Sequence, residues 1–196
     1  MRKVVFTVLL VLLIAGLAYM VFLFIHSPKL PYLDKVENFS LEEVHGTSYT
    51  LENDKVKLIS FFYTNCPDIC PLTMMDFKIL QERLKEEEIF GEEVELIAIS
   101  IDPEHDQPHV IKNYARSFDA DIEGWKWLRG SNEQTKVIAS KLQMQYKKLE
   151  GDFFSHSTTM YLLDKDNNVR ALYDMANSNK PIKKDEIVDD IKYLTK

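Results

Sequence analysis

"KVKLISFFYTNCPDICPLT" (Lys55–Thr73) is the stretch on which the fold turns. Its first half, Lys55 to Tyr63, is a short run dominated by β-branched and aromatic side chains, the mark of a strand covered on both faces. Its second half holds Cys66 and Cys70, the only cysteines in the chain, each followed by a proline. Beyond it, Phe77, Leu80 and Leu84 recur at helical spacing, with polar "QERLKEEE" on the opposite face. The order is therefore strand, cysteine pair, helix.

The prolines limit where that helix begins. Starting it at Pro67 would put Pro71 one turn inside, where its missing N–H leaves a carbonyl without a partner. Placing Pro71 at the first helical position uses proline where it is favoured, with Cys70 as N-cap and Cys66 in the loop before it. Both thiols then lie near the positive end of a helix, which favours thiolate. A thiolate is a nucleophile and also a metal ligand, so three roles stay open: disulfide staple, redox pair and metal site. The staple is the weakest, because so short a loop constrains the unfolded chain least.

The same pattern continues outward. "VELIAIS" (Val94 to Ser100) predicts a second buried strand, "QPHVIKNYARSF" a helix, "WKWL" a short strand, and "NEQTKVIASKL" a helix capped by Asn132. "TTMYLLD" and "VRALYDM" flank "KDNN" as a hairpin, and "KKDEIVDDIKYL" closes the chain as an amphipathic helix. "FSLEEVHGTSYTL" predicts an earlier hairpin around a His-Gly turn. Strands alternating with helices give an α/β class with a mixed sheet. A strand running into a cysteine pair that opens a helix is the thioredoxin-like arrangement, here with an extra N-terminal β-hairpin.

Ahead of this domain, Val4 to Ile25 forms 22 residues without a charge. As a helix that is about 33 Å long, enough to cross a bilayer core. Arg2 and Lys3 precede it, so the positive-inside tendency sends the rest of the chain outward. A cleaved signal with a Gly16–Ala18 site is the rival, but Tyr19 to Ile25 extends the apolar run beyond it and suits an anchor. The expected division is residues 1–3 cytoplasmic, 4–25 transmembrane, 26–35 a proline-containing tether, and 36–196 one domain. The short leader leaves no room for an Arg-rich transit peptide, which points to a bacterial cell membrane crossed once, with the C-terminal domain on the extracytoplasmic side. Apart from Arg2 and Lys3, 22 Lys and Arg face 31 Asp and Glu, a net −9. That balance argues against nucleic acid as a partner.

Three ordered segments carry a family resemblance. "FFYTNCPDICPLT" resembles the Cys-Pro-x-x-Cys-Pro signature of the Sco/SenC copper-binding proteins, matched at Cys66, Pro67, Cys70 and Pro71. "SIDPEHDQP" (Ser100 to Pro108) is similar to the family's Ser-x-Asp-Pro-x-x-Asp-x-Pro segment, and "FSHSTTMYLLDKDNNV" to its histidine-strand-hairpin segment. The resemblance implies a thioredoxin-fold domain tethered outside a membrane that binds copper through Cys66, Cys70 and His156. It implies delivery to the copper A centre of cytochrome c oxidase, with the copper-bearing oxidase subunit as partner and a thiol-disulfide oxidoreductase that reduces the pair. The alternative is that the chain is itself a thiol-disulfide reductase keeping a partner's copper-ligand cysteines reduced. The family commonly has Asp before this histidine, where this chain has Ser155.

The donor chemistry is compatible, since two thiolates and an imidazole suit copper, while a structural zinc would usually take a fourth protein ligand. Asp102 is expected at a strand end beside the cysteines; the resemblance implies a group that supports or contacts the copper site, and a solvent-exposed strand-end Asp is the alternative. His105 and His109 are expected to be solvated, since Pro108 interrupts a helical pairing. His45 reads as a turn residue, and His26 lies at the membrane edge. Met74 and Met75 read as helical core rather than thioether ligands, and "LKEEEIFGEEVE" as a solvated acidic face.

Overall fold

The computed structural model describes residues 2–25 and 30–196. It divides into two compact units, Met1–Pro31 and Tyr32–Lys196. The first consists of α1, Arg2–Ile25, whose described side chains, Phe6, Leu13 and Leu17 among them, are exposed. Among the described residues it is the one helix long and apolar enough to cross a membrane. His26 and the first part of the expected tether lie outside the described residues.

The second unit is built on an eight-stranded sheet in the order β1-β10-β9-β4-β5-β6-β2-β3. Its strands are β1 Asp34–Lys35, β2 Ser40–Glu43, β3 Thr47–Thr50, β4 Val56–Phe62, β5 Val94–Ser100, β6 Trp125–Arg129, β9 Thr159–Leu163 and β10 Asn168–Asp174. β4, β5 and β6 run parallel, and every other pairing is antiparallel. Every residue of β4 and of β5 is buried, as expected for central strands covered on both sides. The helices are α2 Ile69–Glu86, α3 Pro108–Arg116, α4 Asn132–Lys141 and α5 Lys184–Thr195. α2 packs on α5, where Arg83 meets Asp185 at 2.7 Å and Lys192 meets Glu87 at 2.6 Å. Phe77 and Leu84 of α2 are fully buried, as their spacing predicts. The expected mixed sheet, N-terminal hairpin and closing helix are all present.

The sheet also sets the place of the site. Phe62 lies in register with Ser100, and the Ile101 amide bonds the Phe62 carbonyl at 2.9 Å. β9 runs against β4 with Tyr161 opposite Ile59, so the chain entering β9 lies at the end where β4 finishes. The segments 63–70, 101–107 and 156–158 therefore meet at one edge, the usual position for a site in a sheet with parallel strands.

Four details differ from the sequence reading. A separate two-stranded sheet, β7 Tyr146–Lys148 with β8 Phe154–His156, joins α4 to β9, and it carries His156. A helical turn with Gly151 at φ 74° makes its tip, a left-handed position suited to glycine. Asp34 and Lys35, expected in the tether, pair with β10 and open the sheet. The cap of α4 is Ser131, not Asn132: Ser131 Oγ accepts from the Gln134 amide while the Gln134 side chain accepts from the Ser131 amide, a reciprocal box. Met74 is buried in the core, but Met75 is 58% exposed.

One buried charge stands out in β4. Lys57 is fully buried and donates to Asn167 Oδ1 at 2.8 Å. Burial pushes its ammonium down to about 8, against the pull of Glu95 and Asp164. A base depressed on folding binds fewer protons folded than unfolded, so stability rises between pH 8 and 10.5. Relative to Lys57→Met, the wild-type protein should gain about 2–3 kcal/mol over that window, read by urea unfolding through the fluorescence of Trp125 and Trp127. A difference between the two proteins that does not change with pH would contradict this account of Lys57.

Candidate metal centre

The cysteine loop is shaped by unsatisfied helix donors. α2 begins at Ile69, with Asp68 as N-cap, two residues earlier than Pro71 at the first position would give. Pro71 is then the third helical residue, still within the turn whose N–H groups have no intrahelical partner, so its ring costs no bond. The Asp68 side chain makes no capping bond. Cys66 Sγ takes that part, accepting the Cys70 amide at 3.4 Å. Cys66 thus lies in the loop as expected, while Cys70 sits inside the helix rather than at its cap.

The two thiols differ sharply. Cys66 is half-buried and Cys70 fully buried, and both are free. The Cys70 S–H donates to Cys66 Sγ, and this is the largest of the effects that bring the Cys66 thiol down to about 5. The Asp68 and Cys70 amides and the Tyr63 hydroxyl act in the same direction, while burial opposes them. The same thiol–thiolate bond, with burial and the Cys66 charge, pushes Cys70 far up. At neutral pH the pair is one thiolate and one neutral thiol that donates to it.

The loop is fastened from beneath by Asp106, 1% exposed. Its Oδ1 accepts from the Thr64 amide at 3.1 Å and from Thr64 Oγ1 at 2.5 Å, while its Oδ2 accepts from Ser100 Oγ at 2.5 Å. Burial raises this carboxyl above its ordinary value even against those bonds. Asp106 was not singled out in the sequence reading, although it lies within "SIDPEHDQP". Asp102 is likewise buried, at the expected strand end, and accepts from His105 Nδ1 at 2.9 Å. His105 is thus paired rather than simply solvated, whereas His109 is exposed. His45 is a turn residue as expected, bonded to Glu43 at 2.9 Å.

His156 ends β8 of the small hairpin. Its Nδ1 donates to the Ser157 carbonyl at 2.9 Å, which leaves Nε2 as the nitrogen available to a metal. Ser155, where the resemblance leads one to expect Asp, is exposed. Tyr63, whose carbonyl accepts the Cys66 amide at 3.2 Å, packs its ring beside the histidine. The ring meets that of His156 edge-on at 6.3 Å between centroids, while its hydroxyl accepts the Phe154 amide at 3.4 Å. Among the described residues, the one group of three His, Cys, Asp or Glu side chains with ligand atoms within 4.8 Å of one another is Asp102, Glu104 and His105. The two sulfurs and His156 face one edge of the sheet without being gathered that closely. Glu104 is already engaged, with Asn132 at 3.0 Å and Lys148 at 3.4 Å.

A thioredoxin-like α/β domain with a thiolate–thiol pair at the end of its central strand, and a histidine on an adjoining hairpin, defines a class of two-thiol proteins. The SCO1/SenC family model matches residues 31–194, and the chain belongs to that family, whose members are copper-binding, cytochrome c oxidase assembly proteins. The chain is 34% identical over 163 residues to the SCO1 protein homolog of Bacillus subtilis, covering 81% of each chain. It superposes with a TM-score of 0.72 on BsSco, a Sco-family cytochrome c oxidase assembly protein with a disulfide switch, at 31% identity over 86% of this chain and 96% of that one. It is also similar to Arabidopsis thaliana ScoI with copper bound, with a TM-score of 0.66 at 28% identity over 81% of this chain and 96% of that one.

Proposed function

We propose that this protein is a membrane-anchored copper chaperone that takes copper through Cys66, Cys70 and His156 and delivers it to the copper A centre of cytochrome c oxidase. The observation that carries the reading is the donor set: a stabilised Cys66 thiolate, the second sulfur of Cys70, whose amide bonds Cys66 Sγ, and an imidazole with Nε2 free. Such soft and borderline donors suit copper in either oxidation state. Copper here is cargo, so a set that can be taken apart fits better than a closed cage. Cys70 must lose its proton to ligate, and its high proton affinity makes uptake sensitive to pH. Copper-bound ScoI of Arabidopsis and the oxidase-assembly role of BsSco support the same assignment.

In this reading α1 anchors the chain in a bacterial cell membrane, residues 1–3 are cytoplasmic and the copper domain, residues 36–196, faces the extracytoplasmic side. Asp102 supports the site by orienting the loop of His105. The oxidase's copper-bearing subunit is the recipient, and a thiol-disulfide oxidoreductase restores the pair after oxidation. Copper titration of the reduced protein, wild type beside a Cys66→Ala, Cys70→Ala variant, tests the assignment.

A second reading rests on the asymmetry of the thiols. A low, accessible Cys66 and a buried Cys70 are also the equipment of a dithiol reductase. The Cys66 thiolate attacks a partner disulfide and releases one partner thiolate. The Cys70 sulfur then displaces the other, leaving the partner with two thiols and this chain with the disulfide. His156 has no part in that exchange, so His156→Ala separates the two functions.

A further inference from the structure

β10 is paired unequally on its two sides. Its inner side meets β9 from Val169 to Asp174, with a bulge between Val169 and Ala171. On its outer side β1 pairs with Asn168 and Val169 alone, and the Leu33 amide adds one bond to the Val169 carbonyl at 2.9 Å. Pro31, two positions before Leu33, has no N–H with which to carry that ladder further. The direction of the remaining backbone groups follows from the register. The Met175 amide bonds the Thr158 carbonyl at 2.9 Å, so Tyr173 exchanges bonds with Met160, while Leu172 and Asp174 turn their N–H and C=O groups away from β9. Among the described residues no strand lies on that side of them. Leu172 is 53% exposed. A groove flanks this open edge on each face. Tyr173 points to α5, where its hydroxyl donates to Asp190 at 2.7 Å, so Leu172 and its partner Tyr161 point to the opposite face. There Leu33, Leu142, Tyr161, Val169 and Leu172 line an apolar groove of about 340 Å³. On the α5 face the groove is polar and holds Lys180, Lys183 and Glu186. Ser157 and Thr159, one and three positions after His156, also line the apolar groove.

We infer that this edge is where the copper recipient docks, laying an extended segment along Leu172–Asp174 as an added strand. The inference rests on the proposed chaperone function. The occupant follows from the edge itself. Outward N–H and C=O groups recur at every second residue, a spacing that another extended main chain matches. The two grooves then take alternate side chains of that guest: apolar ones against Leu142 and Tyr161, polar ones against Lys180, Lys183 and Glu186. Continuity of the apolar groove with the segment carrying His156 points to the protein that takes the copper. A second copy of this chain is a poorer guest. Pairing β10 with β10 about a two-fold axis at Tyr173 would set the Asp174 carboxylate of one copy against the Leu172 side chain of the other, a charge against an apolar group.

Residue-resolved amide hydrogen exchange of the reduced full chain in detergent, given one equivalent of copper(I), tests this. It is measured alone and with the soluble copper-bearing domain of the recipient subunit in metal-free form. In the chain alone, Leu172 and Asp174 should exchange roughly tenfold or more faster than Tyr173 between them. With the domain in excess both should slow by roughly tenfold or more, with Tyr173 unchanged. Leu172→Pro removes one outward donor where an edge strand tolerates proline, and should weaken docking by roughly tenfold as that bond and the leucine's packing are lost. Its copper titration should match the wild type. Leu172 and Asp174 as protected as Tyr173 in the chain alone would overturn the inference. So would a domain that binds without slowing them, or one that does not bind, and these comparisons need no variant. Slowing that grows with the concentration of the chain alone gives the edge to a second copy and equally overturns it. Copper titration of the wild type keeps the two proposals apart. Protein that binds no copper defeats the ligand assignment and leaves the docking result standing. Protein that binds copper and shows no slowing defeats the docking inference alone.

Discussion

Reduced wild-type protein should bind one copper tightly, and the Cys66→Ala, Cys70→Ala variant should lose that affinity by roughly a thousandfold or more, about 4 kcal/mol. The size of the effect follows from what is removed. Two of three donors go, and they are the two soft ones, leaving an imidazole of the kind found on any surface. The variant should still fold. Cys66 is a loop residue, and its loss leaves the first amides of α2 to water. Cys70→Ala removes a buried sulfur and leaves a small cavity at the end of the domain's sheet, a cost of about 1–2 kcal/mol. Calorimetric titration with copper, checked by the unfolding midpoint of each protein, decides it. One copper retained at wild-type affinity by the variant would remove the cysteines from the site.

The second large effect is selective alkylation. Iodoacetamide should modify reduced protein at Cys66 alone, at a rate nearly flat from pH 8 to 6 and halved near pH 5, where that thiol titrates. An ordinary thiol with a pKa of about 8.5 would lose roughly a hundredfold over the same two pH units. At pH 7 the rate itself should not exceed that of a free cysteine. Thiolate fraction rises about thirtyfold, but the intrinsic nucleophilicity of so acidic a thiolate falls by a similar factor. The pH profile therefore carries the information, not the rate at one pH. Cys70 should stay unmodified in the folded protein, being buried with its proton held by the Cys66 charge. Cys70→Ala should move the half-point of Cys66 upward, because the Cys70 S–H is its largest stabiliser. A half-point near 8.5 in the wild type would contradict the arrangement described.

Much of this was legible from the chain, and the parts that were not have physical reasons. β4 and β5 announced themselves as apolar runs because central strands are buried on both faces. α2 and α5 showed their stripes because each packs one face. The β7–β8 hairpin left no such trace. Its strands are three residues each, too short for alternation to show, and it packs on aromatic rings rather than in the main sheet. The start of α2 was misplaced because sulfur did the capping normally sought from an oxygen side chain. Lys57 hid within an apolar run, and only its long reach to Asn167, 110 positions away, accounts for its tolerance there. In the site, Cys66, Cys70 and His156 could be singled out, but their inequality could not. Which thiol is buried, that Asp106 anchors Thr64, and that the Tyr63 hydroxyl meets the hairpin at the Phe154 amide are tertiary facts. The signal that pointed towards them was position: Tyr63 ends the strand before the cysteines, and Asp106 lies in the segment that shares their sheet edge.

The central claim is that copper is held by the two cysteines together with His156. The copper(II) absorption and spin-resonance spectra of the wild type beside His156→Ala test it most directly. The account expects intense thiolate-to-copper charge transfer in the wild type. In His156→Ala the band should shift and weaken, the nitrogen hyperfine pattern should be lost, and copper affinity should fall by roughly tenfold or more. Thiol-disulfide exchange of the variant should remain at the wild-type level. Identical spectra and affinity in the two proteins would place the histidine outside the site and contradict the account.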